Sequence, residues 1–287
     1  MIERLINIAP FQVRVRSPFD SVAEHLERFY GEHPKTGAQE EFADFEVEIL
    51  PAKGLRRWWR PQARFLLDGD EPFHPLPAEQ AGPLFEWGLN WAVAFRPLGY
   101  LVMHAAVLAR GNRALLLPGF PGAGKSTLCA SLAFHRGWRL FSDELALFEP
   151  DRALLWPHPR PISLKNASIA RVGAMPGARL GPIYRATRKG DISLAACPPA
   201  SVAAAHEPAR PAWLVFPRFE AGCAPHSEAI SRAEAFAKIA EQSFNQTRMG
   251  ETGFRALCQL LDNAQCHEIR YGSTADGLAL IDALCDA

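Results

Sequence analysis

Residues Gly119-x-x-x-x-Gly124-Lys125-Ser126, within GFPGAGKST, have the types and spacing of a phosphate-binding loop. Glycines let the backbone curl until successive amide hydrogens point inward at phosphate oxygens. A lysine adds a point charge, a hydroxyl can ligate magnesium, and a helix starting there contributes the positive end of its dipole. Gly119, Gly122, Ala123, Gly124, Lys125, Ser126 and Thr127 are therefore the expected nucleotide-binding residues. A plain strand-to-helix turn would not require the lysine.

An acidic pair, Asp143-Glu144, follows the apolar run Arg139-Leu140-Phe141-Ser142. A strand placed after the loop's own helix is expected near the loop in the sheet, so an acid at its end would face the phosphates. Adjacent strand residues point to opposite faces, so one carboxylate should address the metal or the acceptor. Asp143 is the stronger candidate, with Ser126 on the metal side, and Glu144 is the second. His104 stands alone in the apolar run VMHAA, where a histidine is more often a satisfied core residue. Two basic stretches, PRPISLKNASI with Arg160, Lys165 and Asn166, and YRATRKGDIS with Arg185, Arg188 and Lys189, read either as solvated faces or as a loop closing over phosphates.

These residues need elements to hold them. The run RALLLPG ahead of the loop reads as a buried strand, preceded by the strand YLVMHAAVLAR, and residues 125 to 135 read as a helix. AWLVFP and CHEIRY are further strands. Phe236, Ile239, Ala240 and Phe244 mark one amphipathic helix and Phe254, Leu257, Cys258 and Leu261 another, before a last helix ending near Cys285. Ahead of residue 99, PFQVRVRSP, FEVEIL and ARFLLDG read as strands. Asp20 to Tyr30 reads as a helix with caps expected at Ser17, Asp20 or Ser21. In LFEWGLNWAVAFR, Leu84, Trp87, Trp91 and Phe95 recur at helical spacing as an expected core face that packs this first unit onto the second. The reading is an α/β protein with a small N-terminal α/β unit, residues 1–98, and a loop-bearing domain, residues 99–287.

Composition narrows the partners. Thirty-one Lys and Arg balance thirty-one Asp and Glu, so the chain has no overall attraction to nucleic acid or an anionic membrane, and any basic site is local. No apolar run approaches the length of a membrane span, and the N-terminus lacks a signal-peptide pattern. Six scattered cysteines without a CxxC pair favour reduced thiols and a cytoplasmic location over zinc or disulfides.

His104 in its strand, the hairpin into GFPGAGKST, and RLFSDE together resemble the catalytic core of HPr serine kinase/phosphorylase. The later segments PRPISLKNASI, TRKG, WLVFP, SRAEAF, FN and GETGF, with upstream EWGLNW, look similar to the subfamily called HprK-related kinase A. The resemblance implies an HPr kinase/PEP carboxykinase-like P-loop core that uses ATP and Mg2+ to phosphorylate a hydroxyl of a peptide or small protein. It implies that Lys125 holds phosphates, Ser126 holds magnesium, Asp143 is the base or metal-side acid, and His104 is coupled to the acidic pair. Arg188 or Lys189 would offset developing charge. A PqqD-like peptide chaperone is an implied partner, and a homo-oligomer is left open. The sequence departs from HPr kinases at Glu144, where a second aspartate stands, and at Thr127, where they have glutamate. Its first hundred residues do not resemble the HPr kinase N-terminal domain. A small-molecule kinase and a nucleotide-gated peptide-binding module without transfer chemistry are the alternatives.

Overall fold

The computed structural model describes residues 1–34, 42–96, 98–119 and 122–286; Phe120 and Pro121 of the glycine-rich loop lie outside them. The chain is mixed α/β and divides into two compact units, Met1–Arg96 and Pro97–Ala287.

In the first unit, strands β1 (Ile2–Ile8), β2 (Phe11–Ser17), β3 (Phe45–Pro51), β4 (Gln62–Leu67) and β5 (Leu76–Pro77) form one sheet in that order. β2 and β3 pair in parallel, and the other neighbours are antiparallel. Strict alternation in β2 buries Val13 and Val15 and leaves Arg14 and Arg16 on the outer face, as a half-buried strand requires. Helices α1 (Asp20–Tyr30) and α2 (Ala81–Phe95) belong to the same unit. The expected side-chain caps of α1 do not form. Phe19 holds the N-cap position, and the Ser17 hydroxyl accepts the Phe19 amide at 3.1 Å instead. In α2 the buried face is carried by Leu84, Phe85, Gly88, Leu89, Ala92 and Val93, whereas Trp87 and Trp91 are only half-buried and Phe95 is exposed. Gly88 sets that face, since a Cβ there would lie 2.1 Å from the Phe65 ring. Of the expected face only Leu84 is buried; the glycine is at the contact and the tryptophans are only half-buried.

The second unit is built on an eight-stranded mixed sheet. It contains β6 (Leu101–Arg110), β7 (Arg113–Pro118), β8 (Arg139–Ser142), β9 (Leu145–Glu149), β10 (Leu154–Trp156), β14 (Arg210–Phe219), β15 (His226–Ala229) and β16 (Gln265–Tyr271). Their order is β10-β9-β6-β7-β14-β16-β15, with β8 also on β6. β7, β14 and β16 are parallel neighbours. A second sheet of three strands, β11 (Ile162–Lys165), β13 (Gly190–Ala195) and β12 (Tyr184–Thr187), lies in the order β11-β13-β12.

Both faces of the large sheet are covered, which is why Leu115-Leu116-Leu117 is a continuous apolar run and not an alternating one. Leu115 and Leu117 face α3 (Lys125–His135), α4 (Ala167–Gly173) and α9 (Thr274–Asp286), through Leu128, Leu132, Val172 and Ile281. Leu116 faces α6 (Arg232–Ala240) and α8 (Glu251–Asn263), through Ile239, Leu257 and Leu260. Two short helices, α5 (Pro199–Ala203) and α7 (Gln246–Met249), complete the unit. Among the described residues, no helix is long and apolar enough to cross a membrane.

The strand that follows α3 is not the loop strand's neighbour. β8 pairs with β6 through Val107 to Ala109, and β9 pairs with the other half of β6 through Leu101 to His104. β8 and β9 therefore form one strand line across β6, broken at Asp143-Glu144. The Ser142 hydroxyl accepts the amides of Glu144, at 3.3 Å, and Leu145, at 3.0 Å. It satisfies the main-chain donors that the interrupted ladder leaves over.

Candidate functional site

Gly122 and Gly124 shape the loop. Their φ angles are +95° and +86°, a region that side-chain-bearing residues rarely adopt. At Gly124 a Cβ would also lie 2.5 Å from the Tyr271 hydroxyl and 3.0 Å from Phe219 Cβ, whereas at Gly122 it would meet open space. The loop thus rests on the ends of β14 and β16, and Ala123 O accepts the Phe219 amide at 3.3 Å. Helix α3 begins directly after Gly124, with that residue as its N-cap.

Lys125 is 8% exposed. Its ammonium donates to Gly119 O and lies 3.3 Å from His104 Nε2. Burial pushes the ammonium below its usual pKa; Asp143 and Glu144 pull it back up, and Lys165 opposes them. His104 also hydrogen-bonds the Glu144 main chain, and burial together with Lys125 keeps its imidazole below the usual histidine range. A neutral ring is the form that can accept from an ammonium.

Asp143 is 4% exposed. Its Oδ2 accepts from Ser126 Oγ at 3.1 Å and from the Ser163 amide at 3.1 Å, while Oδ1 is buried with no hydrogen-bond partner among the described residues. Burial, then the neighbouring Glu144 charge, raises its pKa to about 7, although the Ser126 and Ser163 bonds and Lys125 favour ionisation. Desolvation outweighs three stabilising contacts, as it does for carboxylates held away from water.

The basic stretches divide. Lys165, at the end of β11, lies within electrostatic reach of His104, Lys125 and Lys189. Lys189 is exposed as a residue, yet its ammonium is lowered by partial burial, raised by Glu144 and lowered again by Lys165. Arg188 beside it is exposed. Arg185 pairs with Asp191 at 3.6 Å on the surface. Arg160 is buried at 6% exposure. The β12–β13 turn that carries Lys189 is clipped by Thr187 Oγ1, which donates to Gly190 O and accepts the Lys189 amide. Asn166 braces it further, its Oδ1 accepting the Asp191 amide at 3.2 Å. Thr127 is half-buried in the first turn of α3.

Residues without a distinctive local signal complete the arrangement. Gln242 O accepts the His104 amide at 2.7 Å, and Asn245 holds the start of β6 through Val102 N, at 2.9 Å, and Tyr100 O, at 2.8 Å. Ser142, Ser163, Gln242 and Tyr271 act through main-chain contacts or packing. Asn245 sits in the quoted FN, but no spacing rule pointed to its partners. A cleft of about 290 Å3 borders the loop at Gly119 and Ala123, with Arg218, Lys238, Glu241 and Arg270 on its walls. It does not include Asp143 or Lys189.

The residues fit a magnesium ion. Mg2+ takes few protein ligands and completes its shell with water and substrate phosphates. Ser126 Oγ, the adjacent Asp143 Oδ2 and a buried Oδ1 without a partner supply oxygen donors of that kind. Among the described residues no group of three or more His, Cys, Asp and Glu gathers for a metal.

In comparisons with known proteins, no family model matches the chain and no curated protein matches it. The resemblance to HPr kinases therefore rests on the sequence motifs alone.

Proposed function

We propose that this protein is an ATP-dependent kinase that transfers the γ-phosphate to a hydroxyl of a peptide or small protein, on a P-loop core of the HPr kinase/PEP carboxykinase type. The observation that carries this reading is the 3.1 Å contact between Ser126 Oγ and Asp143 Oδ2, above a buried Lys125. It joins the magnesium-type hydroxyl of a phosphate loop to a buried acid, a pairing that serves both metal binding and proton acceptance.

The loop amides and Lys125 would hold the β- and γ-phosphates, and Ser126 with Asp143 would hold magnesium, which would shield phosphate charge. Asp143 orients the acceptor hydroxyl and takes its proton through Oδ1. The acceptor oxygen bonds to the γ-phosphorus as the bond to the ADP oxygen breaks. Lys165 and Lys189 approach from the three-stranded sheet, where cations stabilise charge on the equatorial oxygens. Glu144 keeps Lys125 and Lys189 charged, and His104 bridges Lys125 to the Glu144 main chain. This reading prefers Lys189 over Arg188 as the charge-offsetting residue. The N-terminal unit serves the acceptor, and a small PqqD-like chaperone is the kind of partner that would deliver a peptide.

The test is incubation with γ-labelled ATP, magnesium and candidate peptides, with phosphate release followed in parallel. Label on a peptide hydroxyl is the expected result. Label on a small molecule, or nucleotide binding with neither transfer nor hydrolysis, would replace it.

A further inference from the structure

The loop between β3 and β4 of the N-terminal unit leaves nine consecutive residues exposed, Lys53 to Pro61, beyond the hydrogen bond from Ala52 N to Gln62 O. Its sequence, KGLRRWWRP, has four cations and no acid. Leu55 is 71% exposed, Trp58 78% and Trp59 56%. Tryptophan is normally among the more buried side chains, and this unit has a core in which to place one. Adjacent large apolar side chains left in water mark an interaction surface.

The arrangement discriminates among anionic partners. Arg56 and Arg60 lie over the Trp59 ring, at 5.4 and 5.0 Å from its centroid, and Arg57 lies over Trp58 at 5.2 Å. Two guanidinium groups already lie on the Trp59 ring, which leaves it little open π face for the base stacking that a single-stranded nucleic acid uses. The loop is also a protruding tip, whereas an extended acidic peptide is held by a groove or a sheet edge. A tip of indole rings and an aliphatic side chain, ringed by arginines, suits a surface whose anionic headgroups lie directly above hydrocarbon. Indoles settle at that boundary and cations pair with the headgroups. The chain's balanced charge does not oppose this, because the attraction is local.

We infer that the Lys53–Pro61 tip docks the protein peripherally on an anionic phospholipid surface. Leu55, Trp58 and Trp59 enter the interface, and Lys53, Arg56, Arg57 and Arg60 pair with headgroups. The inference is independent of the chemistry proposed for the second unit.

Flotation of the full chain with phosphatidylcholine vesicles, with and without about one-third phosphatidylserine, tests it. Binding is expected only to the anionic vesicles and should weaken as salt is raised. It should fall about tenfold or more in Trp58→Ala/Trp59→Ala and in Arg56→Gln/Arg57→Gln/Arg60→Gln. Brominated lipids should quench tryptophan fluorescence in the wild type and not in the double tryptophan variant. These side chains are exposed, so unchanged thermal unfolding of the variants is expected and is checked alongside. Failure of the wild type to float, or flotation of both variants like wild type, overturns the inference. So does binding of a single-stranded oligonucleotide or an acidic peptide that depends on these residues while vesicles are ignored.

Discussion

Asp143 binds a proton more tightly in the folded chain than an ordinary carboxyl does, since burial raises its pKa to about 7. The sign of the linkage follows: the folded state holds more protons than the unfolded state between the ordinary carboxylate range and about 7, so stability falls as pH rises through that window. Asp143→Asn removes the ionisation cost, which is at most on the order of 4 kcal/mol for a shift of this size. The new amide is left without an acceptor where Oδ1 sits, which costs about 1–3 kcal/mol. In the absence of magnesium and nucleotide, the variant should therefore be more stable than wild type at pH 8. Its advantage should vanish toward pH 4, as read by denaturant unfolding at both values. A variant less stable at pH 8 would contradict the buried, proton-poised carboxyl. The same substitution should leave ATP affinity within about tenfold and lower transfer about a hundredfold or more, typical of a lost base. A larger loss in Glu144→Gln would exchange the roles of the two acids. Lys125→Ala should abolish transfer and weaken ATP binding at least about tenfold without unfolding the chain. Lys125→Arg should not rescue it, since a rigid guanidinium does not replace a compact ammonium in so buried a position.

The β12–β13 turn is the element that brings charge to the acids, and its geometry is specific. Asn166 has φ +50° and ψ −122°, backbone that side-chain-bearing residues rarely adopt, and a Cβ on Gly190 would lie 2.7 Å from the Asn166 amide oxygen, so the turn leaves no room for a side chain at Gly190. Asn166→Ala should cost about 1 kcal/mol from the lost bond, and should lower transfer while ATP affinity holds. Lys189→Ala should lower kcat about tenfold or more, whereas Arg188→Ala should have little effect. Steady-state kinetics of the three variants against both substrates would show it. The sequence made the TRKG turn visible as a candidate but could not separate its two cations, because adjacent turn residues differ in direction only once Thr187 and Asn166 fix the backbone. Helices α1 and α3 were legible from periodicity and from the glycine boundary. β1 was not, because Leu5 breaks the alternation of Ile2, Ile6 and Ile8. Nor was the strand line interrupted at Asp143-Glu144, which depends on pairing with β6 about 30 to 47 residues away. The contact of Asp143 with Ser163, and of His104 with Gln242, join distant segments that carry no motif for each other. Leu84 on α2 was legible as core, but the contact of Gly88 with Phe65 carries no periodic signal.

At the scale of the whole molecule, the glycine loop, the acids and the lysines all belong to Pro97–Ala287, and Met1–Arg96 has its own sheet, helices and core. A separate unit without part of the chemistry is available for recognition. Its outer sheet face carries a charged ladder: Arg14 and Arg16 share Glu3, at 3.3 and 3.0 Å, and also face Glu46, at 3.4 and 3.6 Å. Exposed ion pairs of this kind contribute about 0–1 kcal/mol each, so removing them should hardly disturb folding. That makes them clean probes, unlike deletion of the unit or replacement of its core. If this face meets the acceptor, Arg14→Gln/Arg16→Gln and Glu46→Gln should raise the acceptor's KM several-fold. They should leave the KM for ATP, the slow hydrolysis of ATP and the midpoint of thermal unfolding unchanged. The two variants should also respond oppositely to the charge of the peptide, since each exposes the opposite sign on the same face. Measuring acceptor and ATP kinetics separately, with one acidic and one basic peptide, reads all of this. Unchanged acceptor KM in both variants would move acceptor docking to the loop-bearing unit beside Lys165 and Lys189, leaving the first unit to anchoring or assembly.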